Sequence, residues 1–555
     1  MFRRTPNVHR LVTWIGHAAV LAMCIVTARA QQPSTNDTVR FLEQATFGPN
    51  SNLITQVQSL GFSAFLDQQI ALPVSGYPPL PLQPTTVPST CTGTCVRDNY
   101  SMYPVQVTFF QNAINAPDQL RQRVAFALQQ IMVTSGITIT QPSWMTPYLQ
   151  IFENDAFGNF RTLLGDITLN PAMGRYLNMA GNTKAAPNEN YGREVLQLFT
   201  VGLNLLNLDG SLQTDSQGHP IPTYTQPVVD GFSKVFTGWN FAPPVASGVP
   251  DYIDPMVLNP SNHDGSAKLL LQGVTLPATS PVTAATATAD LNAALDNIFN
   301  HPNVGPFISR NLIEHLVTSN PSPGYIARVA SVFNNNGNGV RGDLSAVVRA
   351  ILLDTEARTD PAGGGNPEGA LYGHLQEPEL FIARLLRAFN TTSATTDFVL
   401  ADGYLPSNLQ MGENLFLSPS VFNYYPPSFP IPGVTVNGAL VNGPEFALMS
   451  TSAAINRINF VAEVTYHSMS VSSPNRPTGT WLDLSSITPL ITPPSGSAAQ
   501  LVGYLNTLML HGQGSAGLLQ TVTNAINGMT NATPLSMAQR AVYLIGSSPE
   551  YIIER

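Results

Sequence analysis

Apolar residues spaced three and four apart constrain this chain more than any other feature. In "PDQLRQRVAFALQQIMV" (residues 117–133), Leu120, Val124, Ala127, Leu128 and Ile131 share one face of a 3.6-residue helix. Pro117 stands near the first turn, where its missing N–H costs little. "RGDLSAVVRAILLD" (341–354) repeats the pattern with Leu344, Val347, Val348, Ile351 and Leu352. "EPELFIARLLRAF" and "GPEFALMSTSAAINRI" open on Pro-Glu, which sets a carboxylate at the positive end of a helix dipole. The closing "SSPEYIIER" carries the same signature. No comparable series of alternating strands occurs, nor the strand–helix alternation of a doubly wound fold. The expected class is mainly α, one large irregular helical body with long Pro/Gly-rich loops. At most, small β hairpins are expected at "NLDGSLQTDSQGHPIPTY" (207–224) and at 269–276.

Residues 1–30 stand apart from that body. Arg3, Arg4 and Arg10 precede the apolar run "LVTWIGHAAVLAMCIV", and "ARA" (28–30) is a small-x-small cleavage site. This order is that of a cleavable export signal, and the run is short for a membrane span. The expected location is the periplasm, the cell surface or the extracellular space. No later apolar segment is long enough to cross a bilayer. Without the four arginines of residues 1–30, 21 bases face 34 acids, a balance of −13. That excess disfavours nucleic acid or anionic lipid as a partner. Cys91 and Cys95 in "CTGTC" are the remaining cysteines, and an oxidising compartment predicts a disulfide between them.

Three stretches interrupt the helical pattern: the Pro-rich 73–103, "DPAGGGNP" (360–367) and the Ser/Pro/Thr-rich 468–497. Apolar helices flank the Gly-rich stretch closely, so 31–555 reads as a single helical domain with a candidate subdivision near 360–367. Several motifs follow one another in order: "RFLEQATFGPN", "LRQRVAFALQQIMVTS", "AFGNFRTLLGDITLNPAMGRYLN", "PNENYGREVLQLFTVGLNLLNLDGS", "PIPTYTQ", "RGDLSAVVRAILLD", "SPSVFNYYPP" and "SSPEYIIER". Together, over about residues 38–555, they resemble the bacterial family called domain of unknown function 1800. The resemblance implies an exported protein and brings no catalytic residues with it.

Polar residues in an 11% charged chain are the candidates for chemistry. In "NENYGREVLQLFTVGLN" (188–204), Asn188 reads as the N-cap and Gly202 as the left-handed stop. Glu189 pairs with Arg193 at i,i+4. Tyr191, Val195, Leu198 and Phe199 form the apolar stripe, and Glu194 falls at its margin. A carboxylate there must be paired, hydrogen-bonded or protonated, and a structural ion pair is the expected outcome. Gly192, inside the first turns, calls for close approach by another backbone or a ligand. "NHDGSAK" groups His263, Asp264 and Lys268, the densest acid–base cluster of the chain. "SRNLIEHL" sets Arg310 with Glu314, and it sets His315 among apolar neighbours as a core histidine. Asn207, Asp209 and Asp215 offer oxygen ligands suited to Ca²⁺, but their register fails the EF-hand and a hairpin is expected instead. No cofactor and no transition-metal spacing follows.

Two classes of function fit. One is an envelope-associated or partner-binding protein, whose partner is another exported protein or a polysaccharide. The other is a secreted hydrolase or lyase acting on a carbohydrate polymer. In that reading Glu194, His263, Asp264 and Arg193 are the catalytic candidates, and Glu189, Asn190, Lys268 and Arg310 bind substrate. Convergence of Glu194, His263, Asp264 and Arg310 on one pocket separates the second class from the first.

Overall fold

The computed structural model describes residues 32–359, 369, 372–393, 398–436, 438–466 and 479–555. The expected export signal (1–30), the Gly-rich 360–367 and residues 468–478 lie outside them. The chain is mainly α, as expected. Its helices include α1 (Tyr103–Asn115), α2 (Gln119–Ile131), α3 (Pro142–Asp155), α4 (Asn190–Gln197), α5 (Gln226–Val235), α6 (Ala284–Phe299), α7 (Val304–Leu316), α8 (Leu344–Leu353), α9 (Pro378–Ala388) and α10 (Ala498–Leu510). Strands occur only as two-stranded antiparallel ribbons among the described residues. The 207–224 hairpin is present, with Leu206 bridged to Leu212 and Thr214 to Pro220, and Lys268–Leu269 pairs with Thr275–Leu276. A further hairpin, Pro430–Val436 with Ala439–Asn442, was not expected. Cys91 and Cys95 are disulfide-bonded. No described helix is long and apolar enough to cross a membrane.

The predicted faces hold in part. α8 buries Leu344, Val347, Val348, Ile351 and Leu352, the expected set. α2 differs, because every residue from Gln119 to Ile131 is buried, its arginines and glutamines included. One cluster of buried apolar side chains runs from Phe41 to Tyr551, and α2 passes through it. The Pro-Glu signals gave three outcomes. α9 does begin at Pro378, but Glu379 is buried, and burial lifts its carboxyl to about 8. Pro444–Leu448 is a 3-10 turn, and the helix after it starts at Thr451. The "SSPEYIIER" expectation is corrected: Ile553–Glu554 is a strand, paired with His374–Leu375. The β-branched Ile552 and Ile553 favour extended backbone beside the edge of His374–Leu375, and Glu554 meets the His374 imidazole there.

Buried arginines tie the helices together at their carbonyl ends. A helix leaves its last carbonyls unpaired and its C-terminus partly negative, so a guanidinium there satisfies both needs. Arg387 donates to Ala113 O (3.0 Å) and Ile114 O (2.7 Å) at the end of α1. Arg121 donates to Glu153 O in the last turn of α3 (3.0 Å), and Arg123 to His315 O in that of α7. Arg384 reaches Met509 O of α10 at 2.6 Å, and Arg341 reaches Phe299 O of α6 at 2.9 Å. Each bond links elements far apart in sequence.

The strand Ile553–Glu554 closes a buried charge cluster. His374 lies between Glu445 (3.5 Å) and Glu554 (3.3 Å), all three nearly inaccessible. Burial opposes its protonation, but the two carboxylates outweigh burial and raise its pKa to about 10. A histidine whose folded pKa exceeds its unfolded 6.5 contributes stability in full below pH 6.5 and loses it as pH rises through about 10. Urea unfolding at stepped pH is expected to show this alkaline loss in the wild type. In the His374→Gln variant the slope should be shallower across that window. Parallel curves for the two proteins would mean that His374 is not protonated in the fold.

Candidate functional site

The polar start of α4 is a surface clasp. The expected cap at Asn188 is corrected: the helix starts at Asn190 with Glu189 in the cap position, and Asn188 Oδ1 accepts the Asn190 N–H at 2.9 Å in the turn before it, while the Asn190 side chain is exposed. Arg193 pairs with Glu189 at 2.6 Å, and Gln226 at the head of α5 bonds both partners at 3.1 Å. The bond from Gln226, and then that from Arg193, hold Glu189 below the usual carboxylate range. Gly192 has a backbone reason: a Cβ would lie 3.3 Å from Ser233 N, where α4 crosses α5. Glu194 differs from expectation. It forms no ion pair with a described residue, and Arg193 is engaged by Glu189. Its Oε2 is buried without a hydrogen bond, and burial raises its carboxyl against the pull of Arg193. It lies close enough to Tyr176 and Tyr224 to lift both phenols, after burial itself.

His263 and Lys268 form an anchor. The His263 ring is 1% exposed, with Nδ1 2.9 Å from Thr237 O and Nε2 3.2 Å from Asp290 of α6. Lys268, fully buried, donates to the same Asp290 oxygen at 2.7 Å and to Ser266 O at 3.1 Å. Asp264 turns away and accepts the Ser266 N–H at 2.7 Å. Desolvation opposes its ionisation, but the Ser266 bonds and the charges of Lys234 and Lys268 win and hold it low. Asn207, Asp209 and Asp215 serve their own turns: Asp209 accepts from Ser211, Asp215 from Gln217 and His219, and Asn207 donates to Ser211. Among the described residues no group of three or more His, Cys, Asp or Glu is placed to hold a metal ion.

A cleft opens instead along α7. Asn311, Glu314 and His315 line one side, and Leu198, just past α4, lines it too. The loop bearing Phe422, Asn423 and Tyr425 closes the other. The cleft is about 60 Å³ in volume and shares Leu198, Asn311 and Glu314 with a trough of about 310 Å³, where Arg310, Leu203 and Phe307 lie. Arg310 pairs with Glu314 at 2.9 Å. Burial raises the Glu314 carboxyl, and Arg310 opposes it. His315 is not a satisfied core residue, because its ring makes no hydrogen bond to a described residue and it lines the cleft. Burial, with Arg123 and His374, pushes its pKa down to about 3, so the imidazole is neutral. Beneath the cleft, Glu377 accepts from Gln130 (2.6 Å) and Tyr425 (2.8 Å), and Glu445 leads on to His374.

Of the sequence candidates, Arg310 alone borders this space. Glu194, His263 and Asp264 line neither cleft nor trough, so the four do not converge. Sequence reading assigned His315 to the core and passed over Phe422, Tyr425 and Glu445. The available signal was the i,i+4 pair Arg310–Glu314 beside a histidine, together with the tight spacing of "HLQEPEL". Removal of Asp290 tests the anchor reading. Asp290→Ala leaves a buried lysine unpaired and should cost about 3–5 kcal/mol in chemical denaturation. A loss below about 1 kcal/mol would show that the cluster does not hold this loop.

Residues 40–553 match the profile of a family described as "Protein of unknown function (DUF1800)". No curated protein and no solved structure matches the chain.

Proposed function

The chain belongs to the DUF1800 family, and we propose that it is an exported binding protein whose cleft and trough hold a segment of a neutral polysaccharide. One observation carries this reading: Phe422, 44% exposed, stands at the rim of a cleft whose opposite side presents an amide, a carboxyl and a free imidazole. An exposed ring can stack on the apolar face of a sugar, while Asn311, Glu314 and His315 can exchange hydrogen bonds with its hydroxyls. The trough extends the groove past a single sugar unit. The acidic balance of the chain disfavours anionic polymers.

A second reading, turnover of the bound polymer, is favoured by the chemistry of two neighbours. Glu314, with a raised carboxyl, can protonate a leaving oxygen, and the neutral His315 can hold the attacking water by a hydrogen bond. Retention of the full chain on gels cast with neutral or anionic polysaccharides tests binding. Phe422→Ala should weaken retention by neutral polymer about tenfold with no change in melting temperature. Equal retention of the variant, or retention by anionic polymer alone, would sink the proposal. Release of reducing ends by the wild type, lost in Glu314→Gln with binding kept, would establish the second reading.

A further inference from the structure

A second cavity lies where α1, α2 and α3 meet the loops carrying Tyr77 and Phe416. Rings surround it: Phe109 and Phe126 have centroids 4.9 Å apart, Phe109 and Phe416 6.0 Å, and Tyr77 and Phe416 6.3 Å. Phe416 is held at φ +64°, a conformation that bulky L residues rarely adopt, and its ring forms part of the cavity wall. The volume is about 20 Å³, room for roughly one or two water-sized groups. Tyr77 and Gln129 at its edge keep 8% and 7% exposure, so the space reaches solvent.

One carboxyl stands among these rings. Glu153 is 1% exposed, and its Oε2 accepts the Tyr77 N–H at 3.2 Å. Its Oε1 is buried without a geometric hydrogen bond to a described residue, though the Gln122 amide stands close enough to favour the ionised carboxyl. The nearby charges are Asp118 and Arg121 of α2. Arg121 Nε and the Asp118 carboxylate face one another at 3.9 Å, the other guanidinium nitrogens donate to Glu153 O, Ile70 O and Leu72 O, and Arg121 forms no ion pair with the Glu153 carboxylate. Glu153 is therefore left without a cation of its own. Burial holds its carboxyl at about 7.

A lone acid oxygen enclosed by aromatic rings is suited to an organic cation, which gains from the carboxylate and from the ring quadrupoles together. We infer that this cavity is a binding site for a primary ammonium group at the end of a ligand, seated on Glu153 Oε1 among Tyr77, Phe109, Phe126 and Phe416. The volume admits an ammonium with at most one methyl and excludes a tetramethylated one. The site is separate from the cleft along α7 and does not rest on the polysaccharide reading.

Calorimetric titration of the full chain with methylammonium chloride tests this, with sodium chloride and tetramethylammonium chloride as controls. Saturable methylammonium binding is expected at pH 8 and none with either control. The carboxylate must be ionised to bind, so affinity should be about tenfold weaker at pH 6 than at pH 8, given a free-site pKa near 7. Glu153→Gln, which copies the protonated form in shape, should abolish the heat. Absence of saturable methylammonium heat, equal affinity at both pH values, tetramethylammonium binding as tightly, or a folded Glu153→Gln that binds like the wild type would each overturn the site. If that variant does not fold, the pH profile and the two controls on the wild type decide alone.

Discussion

Guanidinium groups on helix-terminal carbonyls are the interaction on which this architecture depends. Helices that end inside a protein have no water for their last carbonyls, and an unpaired buried carbonyl costs on the order of 1–3 kcal/mol. Arg387, Arg384, Arg121, Arg123 and Arg341 meet that need from distant parts of the chain. The same bonds let α2 be buried on all sides, because its arginines find acceptors where water would otherwise be required. Lysine could not replace Arg387, Arg384, Arg121 or Arg341 without loss, since an ammonium offers a point charge where each planar fork reaches two or three carbonyls.

That device also shapes the cleft. Arg123 holds the carbonyl of His315, and its charge is one reason the imidazole stays neutral. Glu377, Gln130 and Tyr425 form a bonded floor beneath it. The helices position the polar groups of the cleft, and the 421–427 loop brings the aromatic rim to them.

The helical class, the apolar set of α8 and the hairpins at 207–224 and 269–276 were legible because each depends on local spacing, and the Cys91–Cys95 bond because they are the two cysteines left beyond residue 30. Gly192 was legible for the same reason: a glycine inside a helix needs a close neighbour, and Ser233 is that neighbour. The cleft was not. His315 looks like a core residue in a linear pattern, and only the fold of the 421–427 loop shows that it faces open space. Glu194 shows the reverse limit. Its marginal burial was readable, but the lack of an ion pair with a described residue was not. The segment "SSPEYIIER" misled because its pairing with His374–Leu375, a contact far off in sequence, overrides the local Pro-Glu signal.

The pairing of Ile553–Glu554 with His374–Leu375 has a consequence for how the protein is made. A chain threaded from its N-terminus presents His374 and Glu445 long before Glu554 arrives. Until then a buried imidazolium lacks one of its two counter-charges, and the edge of His374–Leu375 lies open. Assembly of the region beneath the cleft therefore ends with the arrival of its last strand. Removal of Ile553 and Glu554 would leave the His374 imidazolium with Glu445 as its remaining carboxylate neighbour among the described residues.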